Sequence, residues 1–187
     1  LMESPLKNDY TLVICDGSFR ITSDHDYIRP LIETVPTQKT DALLSDLEHI
    51  SRWVHTKTFQ NDQSTFFKDN PYISVEVYQA QSDGTWRLMD QVDDAVTLDT
   101  HKAEGEWGGN VQIKLKNTSK RDLYCALLYL PNNFGAISLL DQDSMMIPAK
   151  GELWAWESEG RTIPLRLEEH TIDYNWAAEL HHLKVMV

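Results

Sequence analysis

The sequence predicts a mainly β fold, an antiparallel β-sandwich with one long amphipathic α-helix packed on it. Three observations carry this. From Tyr72 onward, short runs with a two-residue apolar period are separated by Gly, Asn, Asp and Pro turn residues. Residues 40–58, TDALLSDLEHISRWVHTKT, form the one clear stretch with a helical period. Residues 10–23, YTLVICDGSFRITS, place Asp16-Gly17 between two β-rich runs, the favoured two-residue hairpin turn. We read 1–187 as a single β-rich domain: an N-terminal β segment at 1–36, the helix at 40–58, and the main sandwich portion at 71–187.

Each element follows from local chemistry. The segment at 27–37, YIRPLIETVPT, holds two prolines and reads as an edge or loop. Thr40 is placed to cap the helix, with Asp41 favourable in its first turn. Leu43, Leu47, Ile50 and Val54 make its apolar stripe, widened by Leu44. YISVEVYQA, TWRLMDQV and AVTLDT read as strands, and HKAEGEWGG at 101–109 as a Gly-rich loop. Val111, Ile113 and Leu115 share a face. DLYCALLYL is apolar at both parities, which predicts a central strand buried on both faces, fed by the polar turn 117–122. AISLL, GELWAW, TIPLRL and LHHLKVMV complete the set.

Composition narrows the function classes. Apolar content of 41% with 25% charge is that of an ordinary globular domain. A net charge of −12 argues against nucleic acid as a partner. No run of apolar residues is long enough to span a membrane, and no signal-peptide pattern opens the chain. The chain opens Leu1-Met2 and closes on HLKVMV in mid-pattern, as expected of a piece of something longer. Cys15 and Cys125 both sit in apolar runs and read as reduced thiols of a cytoplasmic protein, with a disulfide between them the alternative.

Reactive constellations are sparse. ICDGS around Cys15 and Ser18 looks superficially like a nucleophile loop, so a stand-alone hydrolase is one alternative, but a hairpin end explains it fully. His181 and His182 are adjacent, so on a strand they point to opposite faces and cannot share an ion. The acidic pairs at 24–26, 93–94 and 141–143 lack the rest of a calcium loop. We therefore expect no catalytic residue, no metal and no cofactor. Among the six tryptophans, Trp154 and Trp156 are spaced to share one strand face, and Trp107 sits in the Gly-rich segment. Exposed and coplanar, they would make a carbohydrate-binding module; packed inward, they are core. Asn117-Thr118-Ser119 matches a glycosylation sequon and reads more simply as a polar turn.

Several stretches also resemble the non-catalytic C-terminal accessory region of bacterial caspase-family proteins. They are Arg29-Pro30-Leu31; Leu47, His49, Ile50, Arg52 and Trp53 of the helix; Asn117, Ser119, Asp122, Leu123, Tyr124, Ala126 and Leu127; and Leu183, Lys184, Val185 and Val187. The resemblance covers about residues 10 to 187. It implies a domain that follows a cysteine protease domain and acts by regulation or protein interaction, through substrate presentation, autoinhibition or partner docking. The protease motifs are absent, so no catalytic residue carries over. The expected partner is a protein, either the chain's own protease domain or a substrate. Arg52, Trp53, Trp107, Trp154 and Trp156 are the candidate interaction residues, with a structural role for Arg52 and Trp53 as pins between helix and sheet.

Overall fold

The structure is a computed structural model that describes residues 10–23, 29–32, 34–60, 72–103, 106–167, 172–173 and 178–187. It is mainly β, with one long helix and several antiparallel sheets, one of them curled into a half-barrel. The chain forms two compact units. One holds Leu1–Thr58 with Pro131–Gly135 and Glu168–Leu180, and the other holds Phe59–Leu130, Ala136–Leu167 and His181–Val187. Among the described residues no helix is long and apolar enough to cross a membrane.

The first unit begins with the expected hairpin. β1 (Tyr10–Cys15) and β2 (Ser18–Ser23) pair antiparallel from Cys15↔Ser18 to Tyr10↔Ser23. Asp16 and Gly17 have φ of 50° and 73°, the left-handed pair that a two-residue turn requires. β3 (Val35–Pro36) extends the sheet beside β2, so the proline-rich segment is an edge as read. The acidic cluster at 24–26 lies outside the described residues.

The helix α1 runs over Thr40–Thr58. The carbonyl of Lys39 accepts from Leu43 N–H, so Lys39 holds the cap position and Thr40 stands inside the first turn. Leu43, Ile50 and Trp53 are its buried residues, while Leu44 and Leu47 face solvent. The inward stripe is thus rotated toward Trp53, because that ring packs edge-on against Phe134 at 5.3 Å. Phe134 also meets Tyr10 at 5.8 Å.

The second unit is the sandwich. Its elements are β4 (Ile73–Ala80), β5 (Trp86–Leu88), β6 (Gln91–Val92), β7 (Ala95–Val96), β8 (His101–Ala103), β9 (Glu106–Asn117), β10 (Leu123–Leu130), β11 (Ile137–Ser138), β12 (Met145–Ile147), β13 (Glu152–Trp154), β14 (Ile163–Arg166) and β15 (His182–Met186). The twelve-residue β9 is the spine of one sheet, pairing with β4, β8, β13 and β14. β10 is the spine of the other, pairing with β11, β12 and β15. Val111, Ile113 and Leu115 of β9 share one buried cluster with Leu123, Cys125 and Leu127 of β10, along with Ile147, Leu153 and Ile163. Period-two alternation on both spines makes this possible.

Two expectations change here. Residues 101–103 and 106–109 are strand rather than loop, and 104–105 lie outside the described residues. His101–Ala103 pairs with Gly108, Trp107 and Glu106 as a hairpin. Gly108 serves close strand approach: a Cβ there would lie 2.2 Å from the Leu165 carbonyl oxygen. DLYCALLYL is a central strand buried along one face, whereas its other face is open at Tyr124, half-buried at Ala126 and Leu128, and closes only at the fully buried Leu130. Leu123, Cys125 and Leu127 are inside, whereas Tyr124 is 66% exposed.

The polar knot before β10 is a buried bracket. Asn117 is 2% exposed. Its Nδ2 donates to the carbonyls of Arg121 (2.7 Å), Ile147 (3.0 Å) and Pro148 (3.1 Å). Its Oδ1 accepts from Ser119 N–H at 2.9 Å and Ser119 Oγ at 2.7 Å. The reading of Asn117 as a turn closer is therefore right but too small, since it also ties the end of β9 to the segment after β12. This amide is occupied inside the fold rather than presented as a glycan acceptor.

Candidate interaction face

The two sheets of the second unit have outer faces of opposite character. On the β9 sheet, register places Glu76, Lys114 and Trp154 in one row and Ser74, Lys116 and Glu152 in the next. This face is a charge ladder. Glu76 lies 2.5 Å from Lys116 and 3.9 Å from Lys114, and it accepts the Tyr78 hydroxyl proton at 2.7 Å. Lys114 also pairs with Glu152 at 3.5 Å.

The hydrogen bond from Lys116 is the largest influence holding the Glu76 carboxyl below the ordinary 4.5; burial opposes it, and the Tyr78 hydrogen bond adds to it. A carboxyl whose pKa falls on folding stabilises the fold above its unfolded value. That stabilisation is lost as pH drops through 4.5 toward the folded value. Glu76→Gln is therefore expected to lower the melting temperature at neutral pH, with the gap to the parent closing below the ordinary carboxylate range. A melting series against pH checks it; a gap that stays constant in acid would show that the carboxylate's charge is irrelevant.

The outer face of the β10 sheet breaks the usual alternation. Its outward positions are Tyr124, Ala126 and Leu128. Across the ladder they meet Met146, Met186, and Lys184 with Ser138. Tyr124, Met146 and Met186 are 66%, 46% and 36% exposed. Lys184 donates to the Phe59 carbonyl, with its ammonium 5.8 Å from the centre of the exposed Phe59 ring. Burial pulls the Lys184 pKa down. An antiparallel sheet with one solvated face ordinarily shows polar side chains there. Here the face carries Tyr, Met and Phe, the residue types enriched in protein interfaces, and Met adapts to irregular surfaces.

The residues singled out from sequence are placed elsewhere. Arg52 points outward and pairs with Glu48 at 2.6 Å, so it pins nothing to a sheet. Trp53 is buried at 6% exposure. Trp107 sits opposite Lys102 on the β8–β9 hairpin, 39% exposed. β13 ends at Trp154, and Trp156 turns off it at φ 46°. The Trp156 Nε1 donates to the Ser138 carbonyl at 3.4 Å, and its ring packs on the core. Lys114 Nζ and Arg161 Cζ lie 4.4 and 5.1 Å from the Trp154 ring centre. Trp154 and Trp156 therefore do not share a strand face as a stacking platform.

The reactive candidates are likewise accounted for. Cys15 and Cys125 are free thiols. Burial pushes the Cys125 thiol up to about 11, and Cys15 Sγ donates to Asp16 Oδ2 at 3.3 Å. Ser18 pairs with Cys15 across the hairpin turn. Asp93 and Asp94, with φ of 51° and 59°, form the turn between β6 and β7, and Asp141 caps Ser158. His181 Nδ1 meets the Tyr129 hydroxyl at 3.0 Å. Among the described residues no group of three His, Cys, Asp or Glu side chains is placed to hold a metal. A cleft in the first unit, between Val35, His49 and Phe134, encloses about 240 Å³, less than the ~300–1,000 Å³ usual for ligand pockets.

The signal for the exposed face was present as parity. Tyr124, Ala126 and Leu128 alternate with the buried Leu123, Cys125 and Leu127, but both sets are apolar, so hydropathy alone does not separate them. No protein family, curated protein or solved structure matches this chain.

Proposed function

We propose that this chain is a non-catalytic protein-interaction module that docks a partner protein on the outer face of its β10 sheet. The supporting observation is the apolar row of Tyr124, Met146 and Met186, exposed at positions where the opposite sheet carries paired charges. The resemblance to a caspase-family accessory region makes that partner a protease domain of the same parent, or a protein that the protease handles. The chain's net charge of −12 favours a basic partner rim around the apolar contact.

A photo-crosslinking residue at Tyr124, expressed in the native host, is expected to give a discrete protein adduct. The same residue at Glu152, on the charged face, is expected to give none. Tyr124→Lys with Met146→Lys is expected to abolish capture of that partner by a probe at position 186, while stability stays within about 0.5 kcal/mol of the parent. Equal adducts from positions 124 and 152, or none from either, would remove the reading.

A further inference from the structure

The hairpin strand β1 carries a second, independent feature. A two-residue turn closes on a hydrogen-bonded pair, here Cys15↔Ser18, so Val13 and Cys15 bond across to β2. Leu12 and Ile14 therefore turn their backbone N–H and C=O to the outer edge. Among the described residues no strand pairs with that edge. Their side chains are also exposed, Leu12 at 45% and Ile14 at 68%.

Open edges invite strand addition, and proteins guard them with charge or proline. Three described strands of four or more residues pair on one side only. β14 carries Pro164 and Arg166, and β15 carries Lys184. β1 reads Tyr-Thr-Leu-Val-Ile-Cys and carries neither.

We infer that β1 pairs with β1 of a second copy of this chain, antiparallel across a two-fold axis centred on Val13. In this register Leu12 lies opposite the partner's Ile14 in hydrogen-bonded pairs, and Val13 faces its own copy in a non-hydrogen-bonded pair. All the backbone groups that Leu12 and Ile14 present outward are then satisfied, and the exposed apolar side chains stack in twos. A second copy fits better than a foreign strand because β1 is uncharged. Like pairing sets no like charges across the ladder, and nothing in the strand selects an acidic or basic peptide. The ladder is short, well under the roughly 800 Å² per partner of a standard interface, so the dimer is weak and concentration-dependent. Because each copy carries −12, salt screens their repulsion and tightens the pair. A basic peptide bound to an acidic chain would respond in the opposite sense.

Sedimentation equilibrium of the 187-residue chain, from about 10 µM to about 1 mM, is expected to show reversible dimer that increases with salt. Leu12→Lys with Ile14→Lys, both at exposed positions, is expected to weaken it at least tenfold while the circular dichroism spectrum is unchanged. In a Cys15→Ser, Cys125→Ser background, Val13→Cys is expected to form a covalent dimer under mild oxidation. Non-hydrogen-bonded partners sit about 4.5 Å apart at Cα, within disulfide reach. Leu12→Cys, facing the partner's Ile14, is expected to cross-link much more slowly. A monomer at every concentration would overturn the proposal. So would dimerisation untouched by the lysine pair, or equal cross-linking at positions 12 and 13.

Discussion

Leu127→Ala is expected to destabilise the protein by about 3–5 kcal/mol, whereas Leu128→Ala, one residue along, is expected to cost about 1 kcal/mol. Leu127 is fully buried in the cluster shared by the two sheets, among Leu115, Cys125 and Ile147. Truncation there loses the transfer energy of three carbons and leaves a cavity that a two-sheet core cannot easily close. Leu128 lies on the opposite face between Lys184 and Ser138 and is only half-buried. Urea unfolding of the two variants, compared at equal slope, checks the contrast. Equal large losses would mean that β10 is buried on both faces, as its hydropathy alone predicts. That would also remove the exposed row on which the proposed docking rests.

That contrast shows what could be read from residues alone. The fold class was legible because it depends on period: alternation on β9, the helical spacing of Leu43 and Ile50, and the Asp16-Gly17 turn each have one physical solution. Residues 101–109 misled because glycine has two uses. A run of glycines reads as a loop, yet Gly108 lies in a strand because its neighbour's backbone comes too near for a side chain. Trp154 and Trp156 misled because i, i+2 spacing places two rings on one face only while the strand continues. It ends between them, and the left-handed Trp156 sends its ring to the core instead. The candidate face was the least legible. Its difference from the core is exposure, which register and sheet stacking decide, and Tyr124 and Leu127 look equally apolar until Met146 and Ile147 are placed across from their strand. The charged face needed the same step, since Glu76 and Lys116 are 40 residues apart and meet only through the ladder.

Asn117→Ala is expected to cost about 3 kcal/mol, because it removes a buried amide that bonds several groups at once. The carbonyls of Arg121, Ile147 and Pro148 lose their shared donor, with Ser119 Oγ still bonding the first and Gly151 N–H the last, and Ser119 loses the acceptor for its N–H. No water reaches these groups as readily as it reaches a surface turn, since Asn117 and Ser119 are both buried. Ser119→Ala removes the hydroxyl's bonds to Oδ1 and to the Arg121 carbonyl and the weaker one it accepts from Arg121 N–H, and is expected to cost about 1 kcal/mol. Asn117→Asp separates donor from shape. The carboxylate keeps the acceptor for Ser119 but turns an oxygen toward three carbonyl oxygens, so its penalty at neutral pH is expected to equal or exceed that of alanine. Protonation restores one donor to that oxygen. Burial and the facing carbonyls both disfavour the charged form and raise the introduced carboxyl's pKa on folding. A group raised on folding favours the folded state below its unfolded value, so the Asn117→Asp penalty must shrink in acid while that of Asn117→Ala does not. Unfolding free energies of both variants at neutral and mildly acid pH decide the matter. If the two penalties track each other across pH, the bracket holds by shape rather than by the Nδ2 donor.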